Sequence, residues 1–152
     1  MVKPPRINPA RLLVAALSLA LAALPLVSCR SQPATAPDSA LAAAQSEVLQ
    51  AQQNHWRHAE VTVEAQVVKL LRDDTEGIPH QRFLIALVNG TTVLIAHDTN
   101  MAPRVPLQRG DWVRIHGEYI WTEKGGVIHW THHTDTPRHI GGWIDFNGQR
   151  YQ

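Results

Sequence analysis

Three features of the amino-acid sequence predict a mainly β fold, a small five- to six-stranded OB-like Greek-key barrel. From residue 59 onward, short segments rich in β-branched and aromatic residues follow one another closely, parted by Gly, Pro, Asn and Asp. The third and fourth segments are joined by an irregular crossing, Asp98 to Leu107, with Pro103 and Pro106 inside it, and a Greek key needs one such non-hairpin connection. The fourth is introduced by Leu107-Gln108-Arg109-Gly110-Asp111-Trp112-Val113, a Leu-x-x-Gly-Asp-x-Val turn that suits such barrels. An SH3-like or other small barrel is the runner-up.

The chain divides into residues 1–28, 29–37, 38–58 and 59–152. Lys3, Arg6 and Arg11 precede the apolar run Leu12 to Val27, the layout of a secretory signal peptide. Leu26-Val27-Ser28-Cys29 resembles a bacterial lipobox, so Cys29 is expected to be lipidated and to become the mature N-terminus. It is the only cysteine, which rules out an internal disulfide and a Cys-x-x-Cys zinc site. Arg30 stands where an aspartate would signal inner-membrane retention, so the expected location is the outer membrane, facing the periplasm. A soluble periplasmic or secreted product is the alternative. Residues 29–37 read as a flexible tether. Residues 38–58 read as a helix, capped by Asp38 or Ser39, with Leu41, Ala44, Val48, Ala51 and Gln52 on one face. The formal charge of +1 owes its sign to the leader: without Lys3, Arg6 and Arg11 there remain 11 basic against 13 acidic residues. Nucleic acid is therefore not an expected partner.

In the barrel region, Val61 to Leu71 reads as the first strand and Arg72 to Pro79 as a loop. Gln81 to Val88 reads as a second strand, apolar enough to be buried on both faces. Asn89-Gly90 predicts a type I′ hairpin into the third strand, Thr91 to His97. Asp111 to Trp121 and Val127 to His133 form a second hairpin around Glu123-Lys124-Gly125-Gly126, and Trp143 to Tyr151 closes the chain as one short strand. Setting Thr122 opposite Val127 puts Trp121, Tyr119, Ile128 and Trp130 on one apolar face. It puts His116 opposite His133, Glu118 opposite Thr131 and Ile120 opposite His129 on the other; a one-residue slip would mix the faces.

The chemistry concentrates in Gly125 to His139. Strand residues two apart lie about 7 Å apart and four apart about 13 Å, so His129 and His133 cannot chelate one ion from a straight strand. A metal would need His116, Glu118 and His133 across the hairpin, or a bend after Thr131 gathering His132, His133, Asp135 and His139. His80 and His97 flank the second and third strands, and convergence of these histidines at one barrel mouth is expected. Imidazole and carboxylate suit zinc, copper or iron, which makes a transition metal the cofactor to test for. Asp73, Asp74, Arg104, Trp130 and Arg138 are candidate ligand-binding residues. The serines after the leader, Ser31, Ser39 and Ser46, lie in the tether and helix, which excludes a serine nucleophile, and no phosphate-binding glycine motif is present.

At His80-Gln81-Arg82-Phe83, Ala96-His97, Ala102-Pro103-Arg104, Gly117-Glu118-Tyr119 and Gly125-Gly126-Val127-Ile128-His129-Trp130-Thr131-His132-His133, the chain resembles a bacterial family, number 3465 among the domains of unknown function. The resemblance runs from about Val61 to Gln152 and implies an exported bacterial domain. The family pattern has Asn after the His97 position and Asp-Pro after the paired histidines; this chain has Asp98 and Thr134-Asp135. The function expected is a lipid-anchored periplasmic binding module whose His-rich site takes a metal or small polar ligand. The alternatives are a metal-dependent hydrolase of phosphodiesters, or a structural envelope lipoprotein that docks another protein.

Overall fold

The computed structural model describes residues 37–152. The expected leader, Cys29 and all of the tether except Pro37 lie outside the described residues. Among these, no helix is long and apolar enough to cross a membrane. The expected single helix is two, α1 (Pro37–Ala44) and α2 (Ser46–Gln53), separated at Gln45. Seven strands follow: β1 (Ala59–Leu70), β2 (His80–Ala86), β3 (Thr92–Asp98), β4 (Trp112–Ile120), β5 (Val127–His129), β6 (Trp143–Phe146) and β7 (Gln149–Tyr151).

Strand order is β1-β2-β3-β5-β4, and β4 returns to β1, closing a five-stranded barrel. All barrel pairs are antiparallel except β3–β5, which the Asp98–Leu107 crossing makes parallel. The OB-like expectation therefore holds, with β6 and β7 as additions. β1 can serve two partners because it is long and breaks register between Val67 and Lys69, and such a bulge bends a strand around a barrel. The turn into β4 is fixed by local bonds. Gly110 N–H donates to Val67 O at 2.8 Å, and Asp111 Oδ2 accepts from Gln108 N–H at 2.7 Å.

Alternation sets the core. Val61, Val63, Phe83, Ile85, Val93, Ile95, Ile115, Tyr119 and Ile128 point inward and are buried, each large apolar side chain contributing about 1.5–3 kcal/mol. Their neighbours on β2, Arg82, Leu84 and Ala86, are half-buried rather than buried, so the second face of β2 is open where full burial was expected. α2 closes one end of the barrel with Val48 and Ala51. Gln45, buried at the helix break, donates to Glu64 O at 3.0 Å and accepts from Val88 N–H at 2.9 Å. The crossing closes the other end, where buried Gln81 and Val105 exchange two bonds of 2.8 and 2.9 Å.

Both Asn-Gly pairs sit in hairpins, with different turns. A type I′ turn needs positive φ at both central residues. Asn147 (φ 49°) and Gly148 (φ 77°) meet that need between β6 and β7, splitting the expected final strand into a hairpin. At Asn89-Gly90 only the glycine has positive φ (81°), and its N–H donates to Leu87 O, so the turn there is not type I′.

The largest departure is in the His-rich stretch. β5 ends at His129, not His133, because Trp130 takes a left-handed conformation (φ 50°) that turns the chain off the sheet. Residues 130–142 loop out, and the chain returns to the same edge of β4 as β6. Glu118 pairs with His129 and His116 with Trp143 along that edge. Gly142 marks the return. A Cβ there would lie 2.2 Å from Trp130 O and 2.5 Å from His116 O, so only glycine fits.

Candidate functional site

The β4–β5 register is two residues from the expected one: Glu118 faces His129, Tyr119 faces Ile128 and Ile120 faces Val127. A slip of two keeps every side chain on its face and changes every partner. Two rows result on the outer face. One carries Glu60 (β1), Glu118 (β4) and His129 (β5), continuing to Ala96 (β3) and Arg82 (β2). The other is aliphatic: Ile120, Val127, Leu94 and Leu84.

Glu118 is the buried anchor of the polar row, its side chain 7% exposed. Its Oε2 lies 2.7 Å from His129 Nε2 and its Oε1 lies 3.1 Å from His58 Nδ1. A carboxylate only accepts, so it fixes both tautomers: His129 donates from Nε2 and His58 from Nδ1, leaving His129 Nδ1 and His58 Nε2 bare when the rings are neutral. Burial pushes the His129 pKa below the ordinary imidazole value, against the pull of Glu118 in the other direction. Trp130, expected on the core face beside Tyr119, stands outside because of its left-handed turn. Its ring lies 4.6 Å from that of His129 and 4.4 Å from that of His139.

Beside this lies Glu60, whose carboxyl is pushed up first by burial and also by neighbouring Glu118, with His116 opposing. Its Oε2 is buried with no hydrogen-bond partner and sits 3.7 Å from His116 Nε2. His116 Nδ1 is 3.0 Å from Thr62 Oγ1, and its ring stacks on Trp143 at 5.7 Å.

The remaining candidates do not converge at one mouth. His97 points into the barrel and is fully buried. Its Nε2–H donates to Pro103 O at 3.1 Å, which leaves Nδ1 to accept from Thr131 Oγ1 at 2.8 Å. Burial lowers its pKa. Nor do His132, His133, Asp135 and His139 gather into a quartet. His133 Nε2 pairs with Asp135 at 2.8 Å in solvent, while buried His132 donates to His133 O and meets His139 ring to ring at 5.2 Å. Arg104 pairs with Asp73, and Arg82 lies 3.9 Å from Asp74. Asp74 is tied to His80 through two backbone bonds, and Arg138 is exposed. Among the described residues no group of three or more His, Cys, Asp or Glu is disposed to hold a metal ion.

Sequence reasoning missed His58 and Glu60. His58 immediately precedes β1 and Glu60 is its second residue, sharing the outward parity of Thr62 and Glu64. That parity was readable. The left-handed His58 (φ 59°), assigned to the helix, was not.

A cleft of about 350 Å³ opens at His129, lined also by Asp74, His80, Arg82 and three members of the aliphatic row, Leu94, Ile120 and Val127. It shares Leu94 and Val127 with an apolar cleft of about 450 Å³ reaching Leu71, Leu84 and Lys124. Together they form a groove over the outer face of β2, β3 and β5, polar at His129 and apolar beyond, on the face where OB folds bind their ligands. A larger cavity, about 780 Å³, lies between α2 and the hairpin turns. Gln52, on its wall, is already bonded to Asn89, Thr91 and Gly125. That cavity has no histidine, so the groove is the better candidate. No curated protein matches the chain. The family model for Protein of unknown function (DUF3465) matches residues 26–152, and the chain belongs to that family.

Proposed function

We propose that the chain is a lipid-anchored binding module of the bacterial envelope, facing the periplasm from the outer membrane. It holds a small ligand with an apolar body and a polar head in the groove over β2, β3 and β5. The supporting observation is the meeting of an open aliphatic row, Leu84, Leu94 and Val127, with the Glu118–His129 pair at one end. Half-buried aliphatics gain by covering, and fixed polar groups at one end orient what covers them. Native mass spectrometry of the detergent-extracted lipoprotein tests this. A small molecule should be retained by the natural protein, and lost when Leu94→Arg fills the groove floor or His129→Ala removes its polar end. Retention unchanged in both variants, or no retained molecule, would refute the reading.

A second reading, a divalent metal as the ligand, draws on one observation. The Glu60 Oε2 atom is buried, lacks a hydrogen bond and faces an imidazole nitrogen. Zinc, copper or iron found by elemental analysis in near-stoichiometric amount, and absent from Glu60→Gln and His116→Ala, would establish it.

A further inference from the structure

The histidines of the outer face and its loop differ in what their second nitrogen meets. His129 has one nitrogen held and the other without a hydrogen bond, and its ring lines a cleft. Its Nε2–H donates to Glu118, and that carboxylate is itself buried and held on its other oxygen by His58. The ring is 25% exposed and lines the cleft that also contains His80, Arg82 and Asp74. Trp130 packs against it from the loop side and is itself stacked on His139. Nδ1 is bare in the neutral ring, and burial favours that neutral form. An imidazole oriented by a buried carboxylate, with its other nitrogen unbonded and its ring on a cleft wall, is suited to act as a general base.

We propose that the groove is hydrolytic: Glu118 positions His129, and His129 activates water against a carboxylic ester whose apolar acyl chain lies along Leu84, Leu94 and Val127. This rests on the reading of the groove as a ligand site. In the step, His129 Nδ1 takes a proton from water as the water oxygen bonds to the acyl carbon. The carbonyl π pair moves onto oxygen, giving an oxyanion whose charge Arg82 on the same cleft wall opposes while its Nε–H stays on Arg72 O. The pair then re-forms the carbonyl, the ester C–O bond breaks, and the departing alkoxide takes the proton back from the His129 imidazolium. Ester and water become acid and alcohol, and no oxidant, reductant or further reactant is required.

The test uses the full lipoprotein in detergent with p-nitrophenyl butyrate and octanoate, each rate compared with that of an equal concentration of free imidazole. The expected result is turnover above that background, insensitive to a chelator and reduced at least ~100-fold in His129→Gln. Glu118→Gln should lose about tenfold and change the pH–rate profile, because an amide no longer opposes the imidazolium; a merely structural glutamate would lower the rate without moving the profile. His133→Ala, an exposed histidine away from the groove, should leave the rate unchanged, and circular dichroism checks that each variant is folded. Wild-type turnover no faster than His129→Gln, equal loss in His133→Ala, or loss on chelation would overturn the proposal. Octanoate binding, followed in parallel by native mass spectrometry, separates the two readings. Binding without turnover overturns hydrolysis alone, and absence of both overturns the ligand groove as well.

Discussion

His97 and His129 stand on adjacent strands of one barrel, and burial lowers the pKa of both. Inside the barrel, His97 has a protein partner on each nitrogen, Thr131 and Pro103. Outside it, His129 has Glu118 on one nitrogen and no hydrogen bond on the other, and its ring lines a cleft. What separates these two imidazoles is therefore the count of partners, not membership of the His-Trp-Thr-His run. The two are linked through the chain. The left-handed Trp130 sends Thr131 inward to His97 while His129 stays out, so one backbone turn serves both.

The largest test of that contrast is a pair of truncations. His97→Ala removes two bonds, leaves the buried Thr131 Oγ1 without its partner and opens a cavity, which together should cost about 3 kcal/mol. His129→Ala, at a surface where water can replace it, should cost about 1 kcal/mol or less. Urea unfolding measures both, and equal losses would abolish the distinction between inside and outside.

A smaller effect follows from pH. Each of the two imidazoles has a folded pKa below its unfolded value near 6.5. The unfolded chain therefore takes up protons first as pH falls through about 6.5, and stability from these sites, fully present above that value, is lost on acidification toward the folded pKa values. The slope is at most about 1.4 kcal/mol per pH unit for each imidazole. The carboxyl of Glu60, raised above its ordinary value, acts oppositely: the folded state takes up its proton first, so its influence favours the folded state as pH falls. Unfolding at pH 7.5 and 5.5 should thus show a net loss in acid that shrinks in His97→Gln. An unchanged loss in that variant would place the titrating group elsewhere.

The five barrel strands, their closure and the facing of most side chains were legible, because alternation with period two and turn residues report them directly; the split of the last strand, the outward Trp130 and the open second face of β2 were not. Partners were harder. Alternation cannot distinguish a register from one two residues away, and that slip moves Glu118 from Thr131 to His129. Nothing local announces that Trp130 takes positive φ, since glycine or asparagine would normally mark such a site. The excursion over residues 130–142 was hidden for the same reason. The Asn147-Gly148 hairpin was announced by the same signal read at Asn89-Gly90 and was overlooked. His58 was obscured by the helix preceding it, and its role depends on β1 lying against β4, a pairing distant in sequence.

The smallest expected effect sharpens the contrast from a third side. His133 belongs to the same run as His129 and has an acidic partner at nearly the same distance, 2.8 Å against 2.7 Å. If proximity to a carboxylate were sufficient, the two would behave alike. But the His133 side chain is 63% exposed and that of Asp135 89%, while Glu118 is 7% exposed. Water screens the first pair and both side chains lose entropy in making it, so it is worth no more than about 0.5 kcal/mol. His133→Ala should leave the urea midpoint within error of the natural protein and its salt dependence nearly unchanged. A loss as large as that of His129→Ala would mean that loop 130–142 depends on this surface pair, and burial of Glu118 would no longer explain why His129 stands apart from its neighbours.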